Sequence, residues 1–172
     1  MKVILIGKGN GWENAPQEGN TWGVHSLCLR RPVEMVFDMH KIGDSEYLDN
    51  LTIAERIEQG KIFEYVIEND VPLVTLKKLD NIPSSIEFPL DKMPLEYAEC
   101  SIVYMIVYAM IKGATEIDMY GVVLEVGDEY TIQRKSVEYW IGYARGKGIT
   151  VTINEPTCLC KSERGLYGYD YV

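Results

Sequence analysis

KVILIGKGNGW, residues Lys2 to Trp12, carries the information from which the rest of the chain can be placed. Val3, Ile4, Leu5 and Ile6 form a continuous apolar run, the pattern of a strand buried on both faces of a parallel sheet. The run breaks at once into Gly7, Lys8, Gly9, Asn10 and Gly11. Glycine takes positive φ without strain and lets a ligand approach the backbone, so three glycines directly after a buried strand point to a binding loop. The loop departs from two known fingerprints. Trp12 stands where GxGxxG has its third glycine, and the GxxxxGK[ST] phosphate loop is not matched either. A ligand-contacting turn and a glycine turn that only redirects the chain both remain open.

Outward from this strand, apolar runs alternate with helical patterns. Val33 to Met39 (VEMVFDM) reads as a second strand, Leu73 to Leu76 as a third, Glu116 to Val122 as a fourth and Ile149 to Ile153 as a fifth. Thr21 to Arg31 places Val24, Leu27 and Cys28 at i, i+3, i+4 and is expected to be a short amphipathic helix closed by Pro32. Thr52 is expected to cap a helix through Asn69, with Ile53, Ile57, Phe63, Val66 and Ile67 as its apolar face. Gly60 weakens that helix by about 1 kcal/mol. Leu95 to Lys112 reads as a long helix ended by Gly113, and Asp128 as the cap of a helix to Lys147 with Val137, Trp140, Ile141 and Ala144 on one side. The stretch Asp80 to Pro94 holds Pro83, Pro89 and Pro94 and is expected to be irregular.

This alternation predicts an α/β, three-layer Rossmann-like fold with a mostly parallel five-stranded sheet in the order 3-2-1-4-5. Residues 1–172 are expected to form one domain, with 155–172 a lid or C-terminal extension. That order puts a crevice between the carboxyl ends of the first and fourth strands, where open α/β sheets bind ligands.

Composition narrows the partners. A net charge of -9 argues against nucleic acid, whose binding rests on basic residues. Met1-Lys2 leads into an apolar run too short for a secretory signal, and Ile102 to Ile111 is about half of what spans a bilayer. A cytoplasmic protein without membrane contact is expected. Cys28, Cys100, Cys158 and Cys160 include no CxxC pair and are expected to be reduced, and no metal site is expected from the spacing of any motif. The sequence does not indicate a cofactor. The helix 95–112 is apolar on more than one face, which implies either burial on two sides or a homo-oligomer contact.

Four groups of residues are candidates for chemistry. Gly7, Lys8, Gly9, Asn10 and Gly11 form the first, with Trp12 and Trp22 flanking the loop as a base-stacking surface or as ordinary packing. Asp38 ends the second strand, where a carboxylate accepts from ribose hydroxyls, and His40 beside it is the candidate general acid or base. Both also suit a plainer role as loop anchors. Gly121 sits near the end of the fourth strand. Gln133 and Arg134 follow the Asp128 cap, where Arg134 with Lys8 would clamp an anion, or would lie solvated on the helix surface. The tyrosine-rich end, with Lys161, either closes over the crevice or packs on the sheet.

The segments ILIGKGNGW, WGV, RRPVEMVFDMH, YTIQRKSVEYWIGYARGKGI and LYGY together resemble a group of small uncharacterised proteins of tailed phages and prophages. More distantly, a glycine loop after strand one, an Asp ending strand two and a Gly after strand four are similar to the Rossmann-type hydroxymethylpterin pyrophosphokinase and sialyltransferase-like families. The second resemblance implies a nucleotide ligand, with Gly7, Gly9 and Asn10 near phosphates and Asp38 and Gly121 lining the crevice. The Gly-Pro-Ser of those families is replaced here by Gly9-Asn10-Gly11. The expected function is binding of a nucleotide or nucleotide-derived small molecule, with transfer or hydrolysis at a phosphate or glycosidic bond. The alternatives are a non-catalytic binder that sequesters such a ligand and a subunit that assembles through the helix 95–112.

Overall fold

The computed structural model describes residues 1–125, 128–162 and 164–172, the side chain of residue 128 excepted. The predicted capping role of Asp128 therefore lies outside the described residues.

In chain order the elements are β1 (Lys2–Ile6), β2 (Thr21–Val24), β3 (Met35–Phe37), α1 (Ser45–Asn50), α2 (Ile53–Glu68), β4 (Leu73–Thr75), β5 (Ser85–Glu87), α3 (Ser101–Ile111), β6 (Glu116–Tyr120), α4 (Asp128–Gly146) and β7 (Thr150–Ile153). Among the described residues the strands form one seven-stranded sheet, β5-β4-β3-β2-β1-β6-β7, parallel throughout. The five expected strands keep their expected relative order, but two more enter it.

The first of these, β2, corrects the helix expected over Thr21 to Arg31. Thr21, Trp22 and Val24 are good strand formers, and Ile4, Leu5 and Ile6 pair in register with Thr21, Trp22 and Gly23. The i, i+3, i+4 spacing of Val24, Leu27 and Cys28 belongs instead to the 3-10 turn His25–Leu29 that follows. The second, β5, lies in the proline-rich stretch expected to be irregular. It is three residues long and sits at the sheet edge, where prolines nearby break no interior ladder.

β1 runs through the middle of two cores. Val3 and Leu5 face the layer of α3 and α4, together with Ile117, Met119, Val137, Trp140 and Ile141. Ile4 and Ile6 face the opposite layer with Leu27, Val36, Ile62, Val66 and Leu73. This two-sided burial explains why the opening run shows no polar alternation. On α4, Val137, Trp140, Ile141 and Ala144 are all fully buried, as their spacing predicts.

Two helices differ from expectation. α3 begins at Ser101 rather than Leu95, because the backbone before it is committed elsewhere. The Tyr97 carbonyl accepts from Trp140 Nε1 at 2.6 Å and from Ser136 Oγ at 3.3 Å. Ile102, Val103, Met105, Ile106, Val107, Tyr108 and Ala109 are buried within the chain, so the apolar girth of α3 is taken up between the sheet and α4. Of the two expectations for this stretch, burial on two sides is met over Ser101–Ile111, while Leu95 and Tyr97 before it stay exposed. On α2 the buried positions are Gln59, Ile62 and Val66, whereas Ile53, Ile57 and Ile67 are 80%, 54% and 51% exposed. The expected apolar face is wrong by most of its members. Tertiary placement over the 3-10 turn and β3 selects the buried side of α2, not the isoleucines.

The start of α2 is as predicted. Glu55 N donates to Thr52 Oγ1 at 3.3 Å and Thr52 N donates to Glu55 Oε2 at 2.8 Å, a reciprocal capping box. Replacing Thr52 with alanine should lower the unfolding midpoint by about 2–4 °C in a circular dichroism melt. An unchanged midpoint would show that packing alone fixes this helix end.

Candidate functional site

The turns after β1 and β6 lie side by side at one rim of the sheet. Gly7 N donates to the Tyr120 carbonyl and Gly9 N to the Gly121 carbonyl, each at 2.8 Å. Between them the chain changes direction: β1 leads toward β2 and β6 toward β7, so the pair forms the topological switch point. The approach needs glycine on both sides. At Gly121, with φ +62°, an added Cβ would stand 2.8 Å from Trp12 Cβ and 2.9 Å from the carbonyl oxygens of Gly7 and Gly9. At Gly9 it would stand 2.8 Å from Val123 Cγ2.

Over these turns opens a cleft of about 790 Å³, within the range usual for small-molecule sites. Gly7, Lys8, Gly9 and Asn10 form one edge, and His25 and His40 part of the floor. Val122, Val123, Leu124, Ile102 and Tyr104 make an apolar wall, and Glu99, Glu125, Glu129 and Gln133 stand on the lip. The sequence candidates Gly7, Lys8, Gly9, Asn10, His40, Gly121 and Gln133 thus meet in one place.

Other candidates do not line it. Gly11, at φ +89°, is set against Pro156, where a Cβ would approach the ring to 2.5 Å. Trp12 packs against the core beneath β1. Its carbonyl and those of Ala15 and Pro16 accept from Arg31, a buried guanidinium that pins the loop. Trp22 is likewise core, its indole donating to Asn20 Oδ1 at 2.7 Å. Arg134 Nε pairs with Glu138 at 3.0 Å on its own helix, away from the cleft lining expected for an anion clamp.

Asp38 is fully buried rather than presented to a ribose. One carboxylate oxygen accepts from His40 N at 3.2 Å and faces His40 Nδ1 at 2.6 Å; the other accepts from Gln59 Nε2 at 3.1 Å. Its position one residue beyond β3 turns the side chain under the loop, where α2 brings Gln59 to meet it. Burial pushes the Asp38 carboxyl up, but the hydrogen bond and charge of His40, the charge of His25 and the Gln59 amide outweigh it and hold it below the usual range. His40 is raised, first by its bond to Asp38. His25 is lowered, first by burial, despite the nearby Asp38.

His25 is the residue that sequence reasoning missed. It follows β2 directly, at φ +44°, a conformation uncommon outside glycine. Its ring stands edge-on to His40 with centroids 5.3 Å apart. A signal was present: these are the chain's two histidines, each just beyond a short apolar segment. Reading 21–31 as a helix hid it. The assembled group can orient an imidazole for proton transfer, or hold a cation.

The C-terminal segment braces the cleft wall from behind. Thr157 Oγ1 donates to the Val122 carbonyl at 2.8 Å, and Cys158 Sγ contacts the Val123 carbonyl at 2.8 Å. Among the described residues none of 155–172 lines the cleft, so the tail does not cover it in this conformation. The described residues include no helix long and apolar enough to cross a membrane.

No protein-family model matches the chain, and no curated protein matches it. Solved structures do. The sialyltransferase CstII from Campylobacter jejuni, in complex with the substrate analogue CMP-3FNeuAc, aligns with a TM-score of 0.56 at 12% identity, over 88% of this chain and 79% of that one. Its complex with cytidine-5'-monophosphate gives 0.53 at 15% identity over 90% and 80%. The sialyltransferase in complex with trisaccharide acceptor and CMP gives 0.55 at 11% identity over 89% and 80%. The expected likeness to sialyltransferase-like proteins is therefore found at the level of fold.

Proposed function

We propose that the cleft binds a nucleotide or nucleotide-derived small molecule, with its phosphate at Lys8 and its base or sugar along the Val122–Leu124 wall. The observation that carries this reading is the pair of glycine turns, Gly7–Gly9 and Gly121, meeting at the switch point with Lys8 on the open side. Gly7 and Gly9 donate their amides to the neighbouring turn, so they bring the two loops together rather than holding the phosphate themselves. The cation is left to Lys8, an exposed side chain at the cleft edge. The carboxylates of Glu99, Glu125 and Glu129 accept hydrogen bonds, which suits sugar hydroxyls or an exocyclic amino group and repels a second anionic group at that lip. The nucleotide complexes of the structural neighbours support the ligand class. In the catalytic form of this reading, the sugar C–O bond to the nucleotide phosphate breaks in the cleft, the phosphate leaving with the bonding pair. The sugar carbon bonds to the oxygen of water or an acceptor hydroxyl, whose proton passes to solvent or to the departing phosphate.

Calorimetric titration with CMP, UMP, AMP and GMP, in buffer containing a chelator, tests the reading. At least one nucleotide should bind more tightly than its nucleoside, and Lys8→Ala should remove about tenfold of that preference while leaving nucleoside binding unchanged. No heat from any nucleotide at millimolar concentration would overturn the proposal. Chromatography after incubation with nucleotide sugars then separates the two forms: released nucleotide marks an enzyme, intact ligand a binder.

A further inference from the structure

We propose that His25, Asp38 and His40 form a binding site for one divalent transition-metal ion, zinc being the best match. One donor atom from each of the three lies within 4.8 Å of the others. They arrive from separate segments: the 3-10 turn after β2, the end of β3 and the loop beyond it. Two imidazoles and a carboxylate favour first-row transition metals over magnesium or calcium.

The contacts around these donors have the form of an outer shell. His25 Nε2 faces Asp38 Oδ2 at 3.8 Å, too far for a hydrogen bond. Two donors about 2.1 Å from a shared ion stand roughly 3 to 3.5 Å apart, so a small inward shift accommodates it. The other ring nitrogen, Nδ1, is buried without a hydrogen-bond partner, and Glu58 Oε2 lies 3.8 Å from it. A metal-bound histidine ordinarily donates its second N–H to such a carboxylate. That would give the orphaned atom its partner. Gln59, itself buried, donates to Asp38 Oδ2, the same oxygen that faces His25 Nε2, and so orients the carboxylate from outside the donor set. On the opposite side His40 Nδ1 faces Asp38 Oδ1, and its ring stacks on Tyr47 with centroids 6.1 Å apart, which limits its rotation.

Both imidazoles also line the cleft, so an ion here is reached from solvent and keeps positions open toward it. An open coordination position is the mark of a metal that works on a ligand rather than on the fold. With the nucleotide-binding reading, on which this one clause rests, the ion would share the cleft with Lys8 and the phosphate. The metal site itself does not depend on that reading, and it revises the sequence expectation that no metal is held.

The test is titration of the chelator-stripped full chain with zinc chloride, magnesium chloride serving as the comparison, without nucleotide. One zinc ion per chain should bind, with magnesium far weaker. His25→Ala and His40→Ala should each weaken zinc at least tenfold, and Glu58→Gln about tenfold, while Cys158→Ser/Cys160→Ser leaves it unchanged. Cobalt substitution gives a readout on the unmutated chain: ligand-field bands without thiolate charge transfer. Absence of a one-ion stoichiometry, indifference to both histidine substitutions, or a thiolate band would each overturn the proposal. Zinc binding in a chain that ignores every nucleotide would leave the metal site standing and remove the nucleotide reading, so the two fail separately.

Discussion

Gly121→Ala should lower the unfolding midpoint by about 10 °C and abolish the nucleotide binding proposed for the cleft. Two costs combine at this position. A residue with a Cβ at φ +62° carries about 1–2 kcal/mol of backbone strain. The new methyl would also meet Trp12 Cβ at 2.8 Å and two carbonyl oxygens at 2.9 Å. Neither oxygen can yield cheaply, because each belongs to the backbone of the adjoining turn, and overpacking of this kind costs about 1–3 kcal/mol. Together these give about 3 kcal/mol, or roughly 10 °C for a chain of this size. The Gly9–Gly121 bond is then lost and the cleft edge opens. Gly60→Ala is the control. Nothing lies within 4 Å of its added Cβ, and it sits inside α2, so it should raise stability by about 0.5–1 kcal/mol. Calorimetric melts of both variants decide the matter. If Gly121→Ala melts with the parent protein, the two turns are not held as close as the structure places them.

Much of this arrangement was legible before any coordinates. The unbroken run Val3 to Ile6 announces a strand with a layer on each side, and the core residues of α4 recur at helical spacing. What misled was short. β2 is four residues and β5 three, too few for a period to declare itself, and the 3-10 turn after β2 mimics a helical spacing. On α2 the buried polar Gln59 occupies a core-facing position while isoleucines face out, so hydrophobic pattern alone selects the wrong side.

The site was legible in its backbone and not in its side chains. Glycines after the first and fourth expected strands mark the two turns wherever they meet, because close approach requires them in any register. Side-chain destinations depend on partners supplied from elsewhere. Arg134 looks like an anion clamp until Glu138 is seen one turn on, accepting also from Cys160 N at 2.7 Å. Asp38 looks like a ribose acceptor until Gln59 arrives from α2. His25 carries only its type and its place just beyond a short apolar segment, and that place is hidden when 21–31 is read as a helix.

Asp38→Ala should cost about 3 kcal/mol and, with it, destroy the zinc binding proposed for this cluster. The carboxylate has no exposed surface and accepts on both sides, from His40 and from Gln59. Truncation leaves the buried Gln59 amide without an acceptor, a cost of about 1–3 kcal/mol, and opens a void beside it. Asp38→Asn fills the void but can accept on one side only, since its amide nitrogen must face either Gln59 or His40. It should lose about 1–2 kcal/mol. Pairing it with Gln59→Glu restores a donor opposite an acceptor, so the double variant should recover part of the loss, a coupling of about 1 kcal/mol in urea denaturation. Additive single effects would show that the Asp38–Gln59 bond does not fix the end of β3. The comparison also separates two accounts of this residue. A carboxylate presented at the rim for a ligand, as its place in the sequence suggests, would lose binding on substitution and keep its stability. One that ties α2 to the end of β3, and holds His40 by doing so, must lose both.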